Sequence, residues 1–285
     1  MENSTFTLVT GASSGIGKEI AWYCGSIGMN LILVSLPNES LDRVAIEISK
    51  KYSVKTVFFE TDLTKLDSPK EIFNWTQTKG LNVNILINNA GVAGASVFEN
   101  SDIQYIDMRI MLNIRALVML SRLFLPVLKT HRNSYILNVG SMAGFFAIPY
   151  KCLYSASKAF VLYFSKALRH ELKGTGVSVS VLCPNGVRTN PTTNARINSH
   201  GIIGRLTELS AGLVARKGIE GMLKHRLIII PGKINYILLL LNRILPVSVQ
   251  QKILSMEFMK ELKATRYYEE IQSSSTIVLP WQKVN

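Results

Sequence analysis

The sequence predicts an α/β fold, a single doubly wound domain with a seven-stranded, mostly parallel sheet and helices on both faces. Three observations carry this expectation. Strand-like and helix-like segments alternate from residue 6 to residue 232, a pattern that implies right-handed βαβ crossovers. The strand candidates are continuous runs of Val, Ile and Leu, as expected for strands covered on both faces. The chain has 285 residues, 47% of them hydrophobic, which is enough to bury one large core.

The elements follow in order. "FTLVT" at 6–10 is a short β-rich run, and a helix pattern runs from Gly15 to about Ile27. "NLILVS" at 30–35 is a buried-strand run, followed by a helix pattern over about 39–51 with Asn38 as its expected cap. "KTVFFETD" at 55–62 is the third strand, a helix follows near 68–78, and "VNILINNAG" at 83–91 holds the fourth strand. A long helix is expected over about 102–129, a fifth strand in "SYILNVGS" at 134–141, and another helix over about 153–172. "VSVSVLCP" at 177–184 and "RLIIIPG" at 226–232 complete the seven strands. Residues 190–225 are expected to form a substrate loop and its helices, and 233–285 a helical extension of the same domain, split near Pro246. The final "SSSTIVLPWQKVN" reads as less ordered.

Two motifs end strands. "TGASSGIG" at 10–17 puts Gly11, Gly15 and Gly17 where the first strand turns into a helix. Glycines there permit a tight turn and let a phosphate approach the N–H groups of a helix N-terminus, with Ser13, Ser14 and Ile16 beside it. Its place after the first strand favours dinucleotide binding over a ligand-free turn, and makes the fold Rossmann-type. "NNAG" at 88–91 brings Asn89, Ala90 and Gly91 to the end of the fourth strand, where ligands bind in open α/β sheets. Asp62 and Leu63 follow the third strand; the carboxylate suits an adenine amino group or the cap of the next helix.

"CLYSASKAFVLYFSKAL" at 152–168 holds a phenol and an ammonium, Tyr154 and Lys158, one helical turn apart on one face. "TGASSGIG", "NNAG", Ser141, "YSASK" and "PNGVRT" occur in the order and at about the spacings of the short-chain dehydrogenase/reductase family, over roughly residues 5–230. The chain resembles that family, in particular a subgroup of reductases that carry an apolar C-terminal tail, including relatives of 3-oxoacyl and hydroxysteroid reductases. The resemblance implies an oxidoreductase that moves hydride between a nicotinamide and a ketone or secondary alcohol. It makes Tyr154 the acid/base and Lys158 the cation that favours the phenolate and holds the nicotinamide ribose. It also implies that Ser141 bonds the substrate oxygen and that Asn113 holds a water in the proton relay. Pro184, the backbone of Val187 and the hydroxyl of Thr189 would address the nicotinamide carboxamide. The family's Pro-Gly is Pro184-Asn185 here; asparagine tolerates a left-handed backbone, so the turn is expected to survive.

The end of the second strand bears on the cofactor. It carries Ser35 and Leu36 where NAD users place a carboxylate, which removes repulsion of a 2′-phosphate; Ser35 and Asn38 are candidate donors. The arginine common in NADP users is also missing. NADP(H) is expected, with NAD(H) the alternative.

The formal net charge is +13, but the basic residues are dispersed, with no run and no interleaved aromatics, which argues against nucleic acid. Much of the excess lies after residue 187. Cys24, Cys152 and Cys183 lack metal-ligand spacing, and His200 and His225 are isolated, so no metal is expected and a reduced, cytoplasmic setting fits. The start of the chain lacks the basic and apolar pattern of a signal peptide. The run "YILLLL" at 236–241 is too short to span a bilayer, and the surrounding helix is expected to pack on the sheet or on another subunit. A lid for a lipid-like substrate or peripheral membrane contact is the less favoured reading. A homodimer or homotetramer through the helices near 102–129 and 153–172 is expected. The competing functions are a catalytically silent dinucleotide-binding regulator and a lipid-surface protein.

Overall fold

The computed structural model describes residues 4–189, 191–199 and 206–274. Seven parallel strands form one sheet: β1 (Thr5–Thr10), β2 (Asn30–Ser35), β3 (Thr56–Glu60), β4 (Asn82–Asn88), β5 (Ser134–Val139), β6 (Val177–Leu182) and, at the far edge, Ile228–Ile229. Between β6 and that edge, Val187–Arg188 (β7) pairs in parallel with Leu209–Ser210 (β8) in a separate two-stranded ribbon, so the edge strand is β9. The sheet order is β3-β2-β1-β4-β5-β6-β9. The order reverses between β1 and β4, and the crevice beyond their carboxyl ends is where a doubly wound sheet binds its ligand.

Side chains of each strand point alternately to the two faces. Val9, Leu31 and Leu33 face a core closed by α1 (Gly15–Ser26), α2 (Leu41–Tyr52) and α7 (Ala211–Leu223). Leu8, Ile32 and Val34 face the opposite core, under α3 (Ser68–Thr78) and α4 (Ile103–Leu128). The long helix α5 (Cys152–Glu171) seals the second face nearer β6 through Val161 and Leu162. By length and hydropathy α4 would suffice to cross a bilayer, but Leu117, Leu120, Phe124 and Leu128 are buried against the sheet and its helices.

A polar ladder runs inside this second face. Asn88 Nδ2 donates to Asn138 Oδ1 at 2.9 Å and to Ser121 Oγ at 3.1 Å, and Asn138 Nδ2 donates to Ser165 Oγ at 2.9 Å. All four side chains are buried, so β4, β5, α4 and α5 are tied by amides that have no water to fall back on.

Several expectations change. Asn38 does not cap α2; it has φ +65°, and the residue before the helix is Ser40, also left-handed at φ +55°. The seventh strand shrinks to two residues. Of the expected substrate segment 190–225, 211–223 is α7, whose Val214, Ala215, Ile219 and Met222 are core residues rather than a substrate lining. His200 and the tail from 275 lie outside the described residues. His225 stacks on Tyr135 with ring centroids 5.4 Å apart, a structural placement. The C-terminal segment is two helices separated at Pro246, as the sequence reads: α8 (Lys233–Ile244) and α9 (Val247–Ser274). The shorter α6 (Pro191–Ser199) precedes β8.

Candidate active site

The glycine turn is built by close approach. A Cβ on Gly17 would stand 2.0 Å from the Gly11 carbonyl oxygen, and one on Gly11, at φ +65°, would stand 2.9 Å from Asn89 Nδ2. Only hydrogen fits at either place, and the first turn of α1 is thereby drawn against the end of β1. Asn89 fastens the turn from the other side of the crevice, donating to the Thr10 and Gly11 carbonyls at 2.9 and 3.2 Å. Thr10 Oγ1 in turn accepts from the N–H groups of Asn89 and Ala90, both at 3.0 Å. Asn89 and Ala90 thus hold the loop through their N–H groups and the Asn89 amide nitrogen.

The N-terminus of α1 meets the chemical demands of a phosphate. Its first turn carries no acidic residue, and Ser14, the residue before it, makes no side-chain cap. Thr189 reaches the same place from the far side: a Cβ on Gly15 would lie 3.2 Å from Thr189 Cγ2. Ile16 packs on the core beneath. Val187 is buried in β7, and the Pro184 carbonyl accepts from Met142 N at 2.8 Å, so this loop is joined to the segment that follows Ser141.

At the adenosine end the side chains differ from expectation. Ser35 is buried and donates to the Leu36 carbonyl at 3.1 Å, so it does not face a ligand. Leu63 is buried among Ile32 and Val34, which leaves only its backbone for a cofactor. Asp62 Oδ1 accepts from Thr64 N at 2.9 Å and Thr64 Oγ1 at 2.7 Å, which makes it the holder of a turn before α3. A carboxylate that the sequence reading passed over stands here: Glu39 accepts a hydrogen bond from Ser13 Oγ. Its only signal was position, four residues beyond the end of β2, where a helix was expected to have begun.

Lys158 and Asn113 lie on either side of Gly91 beyond the end of β4, with Tyr154 one helical turn from Lys158 and Ser141 two residues beyond the end of β5. Lys158 is 6% exposed, and its Nζ donates to the Val139 carbonyl at 2.8 Å. It sits 5.9 Å from the centroid of the Tyr154 ring, on the same face of α5. Burial lowers its pKa from 10.5 to about 8, a neighbouring Cys183 opposing weakly. Burial also pushes the Cys183 thiol up to about 12, so the sulfur stays uncharged. Asn113 lies in the one π-helical stretch of α4, Met111–Ala116. There its amide bonds both backbone groups of Val92, Oδ1 accepting at 2.9 Å and Nδ2 donating at 3.0 Å. Gly91 lies between the two: a Cβ would meet Asn113 Oδ1 at 3.0 Å and Lys158 Nζ at 3.5 Å. Ser141 Oγ accepts from Ala143 N at 3.1 Å, which opens the short turn Met142–Phe145. That turn is pressed onto α5 at Lys158, since a Cβ on Gly144 would stand 2.6 Å from the Lys158 carbonyl oxygen.

This arrangement has the parts of a nicotinamide site. Among the described residues the Lys158 ammonium uses one of its three N–H bonds, so two remain for ribose hydroxyls beside a glycine that leaves room for them. The model of the short chain dehydrogenase family matches residues 5–199.

The chain belongs to the short-chain dehydrogenase family.

Among curated family members, the Very-long-chain 3-oxoacyl-CoA reductase of Anas platyrhynchos is 36% identical over 190 residues, covering 65% of this chain and 60% of that protein. The 17-beta-hydroxysteroid dehydrogenase type 3 of Homo sapiens is 34% identical over 196 residues, covering 68% and 62%. The match thus spans about three fifths of the length of each relative. Among solved structures, a short-chain dehydrogenase from Sphingobium yanoikuyae in complex with NADPH is 30% identical, with a TM-score of 0.72 over 80% of this chain and 88% of that one.

Asn185, where this short-chain dehydrogenase departs from Pro-Gly, does not take the left-handed backbone anticipated for it. Instead its Nδ2 donates to Asn235 Oδ1 at 3.0 Å. Asn235 is fully buried at the start of α8 and donates to the Thr207 and Pro231 carbonyls at 3.3 and 3.0 Å. The cofactor-side loop and the C-terminal helices are therefore joined through two amides.

Proposed function

We propose that this short-chain dehydrogenase is an NADP(H)-dependent oxidoreductase acting on a ketone or secondary alcohol carried by an apolar molecule. The observation that supports it most is the buried Lys158 held at the end of β5, with the Tyr154 ring 5.9 Å away and Asn113 across Gly91 from it. The glycine turn and Lys158 would hold a reduced dinucleotide, which would supply the hydride for the carbonyl carbon. Tyr154 gives its phenolic proton to the carbonyl oxygen, and in alcohol oxidation its phenolate takes that proton back. Lys158 favours the phenolate by its charge and holds the ribose. Ser141, whose hydrogen is not engaged by any described residue, donates to the carbonyl oxygen and orients it. Asn113, fixed at Val92, positions the water through which Lys158 recovers its proton.

The names of the two curated relatives support a 3-oxoacyl thioester or a steroid ketone as the substrate class, and the subgroup with an apolar C-terminal tail as this chain's place in the family. The absence of a carboxylate at Ser35 and Leu36 and the NADPH complex of the Sphingobium protein support NADP(H). In this reading residues 1–232 form the catalytic unit and 233–285 extend the same domain. Two copies associate through the exposed Ile103, Ile110, Phe160 and Tyr163 of α4 and α5. The three free cysteines suit the cytoplasm.

The test is a panel of 3-oxoacyl thioesters and steroid ketones, followed by dinucleotide absorbance with each cofactor. Tyr154→Phe is expected to abolish turnover and to bind NADPH as wild type does. Undiminished turnover in that variant refutes the reading.

A further inference from the structure

Helices α8 and α9 present a surface that the reaction leaves unused. Among the described side chains of α8 only Asn235 and Leu239, one turn apart, are buried. Ile234, Tyr236, Ile237, Leu238, Leu240, Leu241 and Ile244 are exposed. At the helical period these positions sweep roughly 200° of the circumference, twice the stripe of about 100° that a helix lays on a single protein face. The apolar surface continues into α9 through Val247, Val249, Ile253 and Met256, with Ile244 80% and Val247 70% exposed at the turn. So wide an arc calls for apolar surroundings on several sides.

The charge around it has one sign. From Glu220 to Glu257 the chain contains Lys224, Arg226, Lys233, Arg243 and Lys252, and no acidic residue lies between. Such a segment attracts anionic headgroups. At 12 residues α8 is about 18 Å long, well short of the roughly 30 Å of a hydrocarbon core, so it lies along an interface rather than across it. The helices are tied to segments that flank Ser141 and Tyr154 in sequence. Asn235 joins the Asn185 loop, Gln251 Nε2 donates to the Ala147 carbonyl at 2.8 Å, and Glu261 pairs with Lys151 at 2.7 Å, three residues before Tyr154.

We propose that α8 and the first turns of α9 form a monotopic docking surface for bilayers that carry anionic lipid. The surface sits beside the substrate opening, so an apolar substrate reaches the site from the lipid phase. The docking itself is independent of which ketone is reduced.

The test is co-sedimentation of the full chain with vesicles of phosphatidylcholine alone and of phosphatidylcholine with phosphatidylglycerol. Binding to the anionic vesicles is expected, weakened by added salt and slight on the neutral ones. Ile244→Glu combined with Val247→Glu, both at exposed positions, is expected to lower binding at least about tenfold. The circular dichroism melt and turnover of a water-soluble ketone should stay at wild-type values. Lys233→Gln with Lys252→Gln should lower binding to anionic vesicles only. The proposal is overturned if the wild type ignores both vesicles, or if the double glutamate variant binds as before. It is overturned too if light scattering shows a wild-type oligomer that this variant dissociates, since a second copy then covers the face. Loss of turnover with every ketone would remove the proposed reaction and leave the vesicle result standing.

Discussion

Lys158 is a cation where burial disfavours one, and that tension has measurable signs. Below about pH 8 the amine is protonated in the folded and the unfolded chain alike. Between about 8 and 10.5 the unfolded chain keeps a proton that the folded one has released, so this residue makes stability rise with pH across that window. The proposed reduction runs the other way, because in that reading it needs the cation. The pH profile of kcat/KM for reduction is therefore expected to fall on the alkaline side with a midpoint near 8. Lys158→Met should lower kcat/KM by on the order of a hundredfold or more and abolish that limb. The same variant should raise stability at pH 7 by on the order of 2 kcal/mol, readable in a urea titration. Glu39 makes a second residue-scale prediction. In the proposed NADP(H) reading a 2′-phosphate beyond β2 would meet this carboxylate beside Ser13, so Glu39→Gln should shift the ratio of the NADPH and NADH dissociation constants about tenfold toward NADPH. The closeness of Tyr154 and Lys158 was legible because one helical turn is itself the geometry, whereas Ser141 and Asn113 were named only through the family resemblance. Glu39, Ser35 and Asn185 were not legible, because what a side chain faces at a strand end depends on where the following loop turns.

The elements explain why a few polar residues inside an apolar core matter. The amide ladder of Asn88 and Asn138 fastens the two strands whose ends carry the reaction centre. Asn138→Leu would leave the Asn88 amide and Ser165 without those partners, and is expected to destabilise by about 2–3 kcal/mol, measured as a lower midpoint in urea. The π-helical stretch of α4 turns Asn113 inward to meet Val92; periodicity shows a helix there but not its extra residue per turn. The same limit explains α7. Its apolar spacing reads as a helix from sequence, yet only the folded chain reveals that it closes the core over α1 and α2 instead of lining the substrate. The two-residue strands β7, β8 and β9 are too short to carry any period.

At the scale of the molecule, the alternation of strand and helix made the parallel sheet readable, since crossovers of one hand leave few other arrangements. The fate of the last two helices was less so. Hydrophobicity alone fits packing on the sheet, and it takes the folded chain to display α8 with most of its circumference uncovered. The strand order has a bearing on synthesis too. The central strand β1 is flanked by β2 and β4, so one side of it stays bare until the chain has emerged past Asn88 from the ribosome. Likewise β6 waits for Ile228. No neighbouring pair in this sheet closes through a hairpin, which means nascent edges are exposed for long intervals. Slow maturation and reliance on chaperones at high expression follow from that arrangement alone.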